Sequence, residues 1–540
     1  MNFIKKIINF FENTPLNITS WACSFLGLMT IRILIENLIF NSLRDQKLIS
    51  LVSFFVHTVF FFSFLYLVLL AVIKYFTKEK IKKIANILLW GYWIVLFPPI
   101  LDALIFRGKD VWSFYYFGGL RELLMAFFTF FGDNLMVGVT LGSRIMIILA
   151  MIGLIFYVFI KTNNPKKTLL FSFFLYVIFF IFGSFPSWVT LLERMLSGKQ
   201  LFTINSLDVA SLFLTGNDFF GMVGQSAKIS IVYKINLVYG FSIFLFLAAW
   251  QYFDNKEKFW SLVKNVRYPQ MIFNGGLFLL GVSLGGFYYP QNFHLGFFEV
   301  LILIDLILVV FAAWFFSVFP NDINDLEVDK ITNPDRPLVK KIFSIGEYQS
   351  YALAFFLFSL LMSAAINIKM FLLIICYHFL TFFYSSHPFR IKRFLGVASL
   401  LSSFASLLFL FSGFFLVSEN QSLEKLPLEV VLLLLLVFVF LIPLKDLRDA
   451  KGDGKNGIFT LPVLLGIKNA RLFLASAIFL AYFLSVYIIN DKDLFLPALI
   501  FGSVSFWFIS NSKIKVKYLN WWALFFVFLY GLTIIKIVFL

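Results

Sequence analysis

The sequence predicts an all-α, polytopic membrane protein with about 15 transmembrane helices. Hydrophobic residues make up 61% of the 540 positions, and the mean hydropathy is +0.90. A soluble globular protein is far less apolar. The apolar residues form runs of roughly 20, the length that spans a bilayer core. Charged residues are only 14% of the chain and lie mainly between these runs, as loops between spans require.

The N-terminal residues 1–15 place Lys5 and Lys6 beside Ile, Phe and Asn. This mixture of basic and apolar residues predicts a short helix lying in the membrane interface. No small-residue cleavage site follows it, so we do not interpret the segment as a signal peptide.

Six spans are predicted before residue 255, near residues 19–41, 50–75, 84–105, 134–160, 168–191 and 229–252. Residues 111–131 are apolar and aromatic but are interrupted by two glycines and by Arg121-Glu122. We interpret them as an interfacial or re-entrant helix rather than a span. A long polar-leaning loop, residues 193–228, separates the fifth and sixth spans.

Ionisable residues within the first six spans are candidate functional or anchoring groups. Arg32 and Glu36 are spaced i, i+4, and we expect them to pair because a lone charge inside a membrane is costly. Asp102 and Arg144 lie near span ends. Helix-to-helix anchoring explains these residues as well as a function does.

Nine further spans are predicted near residues 270–289, 296–319, 348–366, 369–385, 394–417, 428–444, 471–490, 493–510 and 519–539. Asp305 lies midway along the second of them, and we expect it to be too distant from the later acidic motifs to join their site. The chain between the sixth and seventh spans is charged, as expected where few contacts cross. We therefore predict two domains, residues 1–255 and residues 256–540.

Three carboxylates follow the second span of the C-terminal half. Asp322, Asp325 and Asp329 are spaced i, i+3 and i+7, which on one helix places them along one face over roughly 10 Å. Like charges in this arrangement destabilise the helix unless a cation lies among them. Such oxygen ligands suit Mg²⁺. A solvated helix end is the alternative interpretation of a single cluster.

A second cluster repeats this spacing after the sixth span of the C-terminal half. It consists of Asp446, Asp449 and Asp453. Two matched acidic faces at the ends of two membrane spans are less readily explained as solvated surface. Together they predict a site that holds a diphosphate through metal ions from two sides.

These clusters resemble the two signatures of the UbiA superfamily of intramembrane prenyltransferases. The resemblance covers about half the chain, from near Lys264 onward, with both motifs in the family's order. It implies a nine-helix bundle, in agreement with the nine predicted spans. The flanking residues that match are Asn321 and Pro334-x-Arg336-Pro337 at the first cluster and Gly452 and Thr460-Leu461-Pro462 at the second.

The resemblance implies Mg²⁺-dependent transfer of a prenyl group from a polyprenyl diphosphate to a lipophilic aromatic or alcohol acceptor. It also implies two Mg²⁺ ions, which Mn²⁺ can replace, and contact with membrane lipids. The Pro-x-Arg-Pro element resembles the branch of chlorophyll synthase-like, homogentisate and archaeal geranylgeranylglyceryl phosphate enzymes. Thr332 occupies the position of a usual Asn, with Asn333 beside it. This departure leaves the acceptor open.

The family roles transfer to matching positions. The principal catalytic and metal-binding carboxylates would be Asp322, Asp325, Asp446 and Asp449, with Asp329 and Asp453 completing each metal-binding face. For each cation in the substrate-binding group, the alternative role is an anchor at the membrane surface. Tyr384 is equally explained by packing. The substrate-binding residues would be Asn321, Arg267, Arg336, Tyr384, Lys392 and Arg393.

The net charge of +16 reflects membrane topology rather than nucleic-acid binding. With the N-terminus inside, loops of the C-terminal half that carry Lys and Arg clusters fall on the cytoplasmic side. The opposite side holds only Lys369, Lys425 and Lys492. This arrangement predicts a multi-pass cell-membrane protein whose N-terminus and active-site loops are cytoplasmic. Cys23 and Cys376 lie in apolar runs, which excludes a cysteine-based metal site.

Other functional classes fit less well. A transporter or lipid-handling protein with a divalent-cation site is the main alternative, but its charged residues would be expected nearer the bilayer midplane. The C-terminal half could instead be an inactive relic, yet both acidic motifs are intact. A CDP-alcohol phosphotransferase would need an Asp-Gly-x-x-Ala-Arg core, which the sequence lacks.

Overall fold

A computed structural model describes residues 2–40, 48–107, 119–214, 227–293, 295–455 and 457–539. Every regular element in these ranges is a helix. Fifteen helical segments of the described ranges are long and apolar enough to cross a membrane. Each coincides with one predicted span, which confirms the all-α, polytopic fold.

The described chain forms two compact units that divide within a single helix, between residues 246 and 247, and residues 364–366 group with the first unit. The proposed domain boundary at residue 255 stays a prediction. The helices up to that boundary are α1 (Asn2–Glu12), α2 (Ile18–Phe40), α3 (Leu48–Thr77), α4 (Ile81–Gly91), α5 (Phe97–Phe106), α6 (Leu120–Phe128), α7 (Leu141–Thr162), α8 (Pro165–Gly183), α9 (Phe185–Leu196), α10 (Ser206–Leu214) and α11 (Ala227–Asp254).

Twelve helices follow the boundary in the described part of the chain. The segment Ile442–Lys445 is a 3₁₀ turn that joins two of them, α19 and α20. The twelve are α12 (Lys256–Lys264), α13 (Tyr268–Tyr288), α14 (Phe297–Asn324), α15 (Leu326–Thr332), α16 (Ile345–Ile366), α17 (Ile368–Ser385), α18 (Val397–Val417), α19 (Leu428–Leu441), α20 (Asp446–Lys455), α21 (Leu461–Ile489), α22 (Phe495–Ser510) and α23 (Val516–Ile534).

Two spans begin at residues other than those predicted. The fourth begins at Leu141 rather than near residue 134, because the Arg144 guanidinium donates to the carbonyls of Phe131, Gly132, Asn134 and Val139 and holds this stretch as a loop. The thirteenth begins earlier, at Leu461, and is kinked at Gly466.

The ionisable residues of the first unit form internal contacts. Arg32 and Glu36 pair at 3.7 Å, as predicted. The Asp102 carboxylate accepts hydrogen bonds from Thr140 Oγ1 at 2.6 Å and from the Gly142 amide at 2.7 Å, which ties α5 to the first turn of α7. Helix-to-helix anchoring therefore accounts for the contacts of Asp102, whereas Arg32 and Glu36 pair within α2.

The N-terminal segment is helical, and its last residue is tied to the first unit. Glu12 is buried, pairs with Lys161 at 2.6 Å and accepts a hydrogen bond from Tyr157 at 2.9 Å. Phe3 and Phe10 are exposed. Of the predicted re-entrant segment, residues 111–118 lie outside the described residues, and residues 120–128 form α6.

Two glycines allow α13 and α18 to pack closely in the second unit. A Cβ on Gly281 would lie 2.1 Å from the Leu410 carbonyl oxygen, and one on Gly413 would lie 2.0 Å from the Phe278 carbonyl oxygen. Any larger residue at either position would push the helices apart. The two helices run in the same direction, and this contact sets the register between them.

Candidate active site

The first acidic motif does not lie on one helix. α14 ends at Asn324, and Asp325 leaves helical geometry at φ −103° and ψ 13° before α15 begins. Asp322 therefore belongs to the last turn of α14, Asp325 to the junction and Asp329 to α15. The prediction that all three share one continuous helical face is wrong, because helical geometry is interrupted at Asp325.

Asp322 is an anchor for side chains from distant parts of the unit. Its carboxylate is almost completely buried and accepts a hydrogen bond from Arg336 at 2.6 Å. It also pairs with Arg267, and its second oxygen accepts hydrogen bonds from Asn265 at 2.9 Å and Tyr348 at 3.3 Å. Both carboxylate oxygens are therefore occupied by protein donors.

Asp325 lies against the basic loop that follows α17. It pairs with Lys392 and accepts a hydrogen bond from Arg390 at 2.9 Å. Burial acts to raise the pKa of the Asp325 carboxyl, but these two cations outweigh burial and hold the pKa below its usual range. Asp325 therefore stays ionised at neutral pH.

Asn333 connects the two acidic motifs. Its amide lies 3.1 Å from an Asp329 oxygen and 3.3 Å from an Asp449 oxygen. Asp329 also pairs with Arg336, yet burial raises the pKa of its carboxyl to about 6. The displaced asparagine noted in the sequence thus reaches both motifs from the position next to the usual one.

The second acidic motif keeps its predicted geometry. Asp446, Asp449 and Asp453 lie on the single helix α20. Arg448 lies 3.3 Å from Asp449, whereas no salt bridge from the described residues reaches Asp446 or Asp453. These two carboxylates are therefore available to an external cation.

Both motifs meet at a cavity of about 240 Å³ inside the second unit. The acidic and basic side chains lie at one end, and most of the other lining residues belong to the membrane-spanning helices α13, α14, α17, α18, α19 and α23. Charged lining residues are Arg267, Asp325, Asp329, Arg336, Lys392, Lys445, Asp446, Arg448, Asp449 and Asp453. The cavity thus combines a charged end with an intramembrane portion.

Lys445 and Tyr384 form a pair on the cavity wall. The Lys445 ammonium donates to the Tyr384 hydroxyl oxygen at 2.9 Å and lies 5.0 Å from the centre of the tyrosine ring. An ammonium has no acceptor, so the tyrosine hydroxyl accepts and its own proton remains free for another partner.

The cavity includes most of the predicted site residues but not all of them. Asn321, Arg267, Arg336, Tyr384 and Lys392 line it, together with five of the six carboxylates. Asp322 does not line it, because its side chain is held among Arg267, Arg336, Asn265 and Tyr348. Arg393 is exposed and also lies away from the wall. As expected, Asp305 does not line the cavity either.

Four contributors were missed as site residues: Asn265, Tyr348, Arg390 and Lys445. Asn265 and Tyr348 act through Asp322 from elements remote in sequence. Arg390 lies two residues before Lys392, and Lys445 directly precedes the second motif. A positive charge next to a predicted site residue was therefore the available signal for these two. Nothing in the sequence pointed to the other two.

Within the described residues, no three His, Cys, Asp or Glu side chains converge closely enough to hold a metal ion by themselves. The carboxylates instead stand on two walls of one cavity. Mg²⁺ is usually bound through one or two carboxylates and completes its coordination with substrate phosphate and water. The donor set therefore fits a metal that binds together with a phosphate ligand.

Comparison with known proteins identifies the family. Residues 277–532 match the model of the UbiA prenyltransferase family. The resemblance of the second half to the UbiA family is therefore confirmed over residues 277–532. Its first motif and α20 lie within the matched range, whereas Arg267 and Asn265 lie before it.

Similar curated proteins bear the name digeranylgeranylglyceryl phosphate synthase. The protein from Sulfurisphaera tokodaii is 28% identical over 31% of this chain and 59% of its own length. The protein from Thermococcus kodakarensis is 34% identical over 30% of this chain and 56% of its own. The match thus spans somewhat more than half the length of these relatives. A solved UbiA homolog from Archaeoglobus fulgidus, bound to DMAPP and Mg²⁺, is 18% identical, covers 52% of this chain and all of its own, and has a TM-score of 0.37.

Proposed function

We propose that the second unit transfers a prenyl group from a polyprenyl diphosphate to a lipophilic aromatic or alcohol acceptor in a Mg²⁺-dependent reaction. The observation that carries this proposal is the single cavity that joins both acidic motifs, several cations and an intramembrane portion. UbiA family membership and the names of the relatives support it. All lining residues lie between Arg267 and Leu524, which supports placing the activity in residues 256–540.

The carboxylates on the cavity wall would hold the metal. On one side these are Asp325 and Asp329, assisted by Asn321, and on the other Asp446, Asp449 and Asp453. Among the described residues, no salt bridge competes with a metal ion at Asp446 or Asp453. Because Asp322 does not reach the cavity, we no longer assign it to the metal and give it a positioning role for Arg267 and Arg336.

Cations beside these carboxylates would bind the diphosphate. Arg267, Arg336 and Lys392 line the same end of the cavity, and each is already held by an aspartate. Fixed in this way, they need little reorganisation when a diphosphate arrives. Arg390 would hold Asp325 in position rather than contact the substrate, since it does not line the cavity.

The reaction would proceed by allylic ionisation. Cleavage of the C1–O bond leaves the electron pair on the diphosphate and a positive charge on the allyl carbon. Bound Mg²⁺ would supply charge neutralisation for the diphosphate leaving group. The acceptor's aromatic carbon or hydroxyl oxygen then bonds to the allyl carbon and releases a proton. The apolar helices around the cavity would limit access of water to the cation.

The proposed orientation places this end of the cavity in the cytoplasm. The support is the distribution of Lys and Arg, which leaves only Lys369, Lys425 and Lys492 in opposite loops of the second half. A polyprenyl diphosphate lying in the inner leaflet would then enter with its charged head at the cytoplasmic surface and its chain in the bilayer.

The test uses the full-length protein in liposomes with geranylgeranyl diphosphate and Mg²⁺, and measures released diphosphate. We expect Asp325→Asn and Asp449→Asn each to reduce the rate at least about 100-fold, because each removes charge that faces the leaving group. Addition of EDTA should abolish release, and Mn²⁺ should restore it in part.

Asp335→Asn is the matched control. Asp335 lies between the same motif and α16, is highly exposed, pairs with Lys340 at 2.7 Å and does not line the cavity. It should keep the wild-type rate. Full activity in EDTA would refute the metal-dependent reaction. Divalent-cation binding without any diphosphate release would favour the transporter or lipid-handling alternative.

A further inference from the structure

We propose that Asn274 binds a hydroxyl group of the prenyl acceptor, and that the cavity between α13 and α18 is the acceptor subsite. The acceptor would accordingly be a lipid that carries a neutral hydroxyl at membrane depth. This inference rests on the proposed prenyl transfer and names the substrate class for the same cavity.

Asn274 is a buried polar residue on the cavity wall. It lies on α13, two helical turns beyond Arg267, and lines the cavity with only 2% of its surface exposed. Its Oδ1 atom is buried and has no hydrogen-bond partner among the described residues. Leaving a buried polar atom unpaired is unfavourable, so a ligand that supplies the missing bond is favoured here.

The prenyl donor cannot supply this bond. Its diphosphate belongs with the cations around Arg267, and seven residues of helix place Asn274 about 10 Å farther along α13. Beyond the diphosphate, a prenyl chain is hydrocarbon and has neither donor nor acceptor. A second ligand with a polar group must therefore occupy the space beside Asn274.

The neighbouring helix α18 offers matching polar groups. Ser402 and Ser406 of α18 line the same cavity. The close contacts of Gly281 and Gly413 fix the register of the two helices, and Asn274 and Ser406 each lie seven residues before these glycines. Because the two helices run in the same direction and each residue lies two turns before the shared contact, Asn274 and Ser406 lie at the same depth in the membrane.

The neutral side chains of Asn274, Ser402 and Ser406 favour a ligand with a neutral hydrogen-bonding group. A carboxamide presents an acceptor and two donors, and a serine hydroxyl presents both. A hydroxyl group can complement either kind of partner. The described lining at this depth on α13 and α18 carries no cation, so an anionic group of the acceptor would have to lie at the charged end instead.

The experiment compares Asn274→Leu with wild type in full-length protein in liposomes. Leucine has a similar size but cannot form hydrogen bonds. Diphosphate release from geranylgeranyl diphosphate, without acceptor, reports the donor half of the site. The acceptor probe is 1-O-hexadecylglycerol. We measure the probe concentration that gives half of its maximal effect on diphosphate release. Mass spectrometry of the ether product provides a second measurement of the same concentration. The di-O-methyl derivative of the probe is the hydroxyl-free control.

We expect Asn274→Leu to raise the half-effective concentration of 1-O-hexadecylglycerol about tenfold, the effect of losing one neutral hydrogen bond. The KM for geranylgeranyl diphosphate should change less than twofold. Asn274→Gln keeps the carboxamide, so its half-effective concentration for the probe should lie between those of wild type and Asn274→Leu. Ser283→Leu, a lipid-exposed change on the same helix, should behave as wild type.

Three results would overturn the inference: an unchanged half-effective concentration in Asn274→Leu, a raised KM for the donor instead, or no effect of the probe on wild type. If wild type releases no diphosphate, the proposed prenyl transfer fails separately. The thermal shift caused by the probe then tests Asn274, and a shift that is equal in wild type and Asn274→Leu would overturn the inference.

Discussion

Substitution of two aspartates, Asp322 in the first motif and Asp453 in the second, tests whether one has a structural role and the other a catalytic role. Asp322 is buried among four protein donors and does not line the cavity, whereas Asp453 lines the cavity and forms no salt bridge with any described residue. We predict that Asp322→Asn chiefly lowers stability and that Asp453→Asn chiefly lowers activity.

The magnitude for Asp322 follows from its partners. Removing one member of a buried ion pair typically costs about 3–5 kcal/mol, because the remaining charge stays buried and unpaired. Asp322→Asn would leave Arg267 without its aspartate and Arg336 with only Asp329. Asparagine keeps the shape and can still accept one hydrogen bond, so the lower end, about 3 kcal/mol, is expected.

Asp453 should behave in the opposite way. It shares α20 with two other carboxylates and forms no salt bridge with a described residue, so neutralising it chiefly relieves repulsion. We expect its unfolding temperature to equal or exceed that of wild type, while metal-dependent diphosphate release falls by at least about tenfold. Such a gain in stability with loss of activity is typical of functional residues.

Both quantities are measurable on the same samples. Intrinsic fluorescence from the 11 tryptophans follows thermal unfolding in detergent, and diphosphate release in liposomes follows activity. An unfolding temperature of Asp322→Asn equal to that of wild type would refute the anchoring role of Asp322. Equal destabilisation of both variants would show that Asp453 is also a structural residue.

Three further predictions concern other parts of the second unit. Lys445→Met should lower kcat about tenfold with little change in the donor KM, because Tyr384 then loses the hydrogen-bond donor that orients its hydroxyl group toward the cavity. Lys445→Arg should recover most of the activity, and a loss of stability with unchanged kcat would contradict the prediction. Asp305→Leu should raise stability by about 1–3 kcal/mol without changing activity, since both carboxylate oxygens are buried without a partner among the described residues; a lower unfolding temperature would show an unrecognised partner. In a cysteine-free background, cysteine at Lys455 should be labelled only from the cytoplasmic side and cysteine at Gln291 only from the outer side, and the reverse pattern would overturn the orientation.

The helical spans were predictable because a membrane span depends on local composition. A run of about 20 apolar residues must be helical in a bilayer, where every backbone group needs an internal hydrogen bond. The fifteen spans therefore followed from hydropathy, and tertiary contacts moved the start of the fourth, where Arg144 holds the preceding residues as a loop. The two acidic motifs were equally recognisable, since spacing and residue type are written in the chain.

The direction of each motif side chain was not predictable in the same way. Equal i, i+3, i+7 spacing suggested equal roles, yet α20 presents all three of its aspartates to the cavity and the first motif presents two. The helix break at Asp325 separates the first motif, and Asn265 and Tyr348, distant in sequence, hold Asp322 among buried side chains. Residue type and spacing are local properties, whereas the environment of a carboxylate depends on which remote elements pack around it. Asn274 shows the same limit, because its missing hydrogen bond appears only once α13 and α18 enclose the cavity.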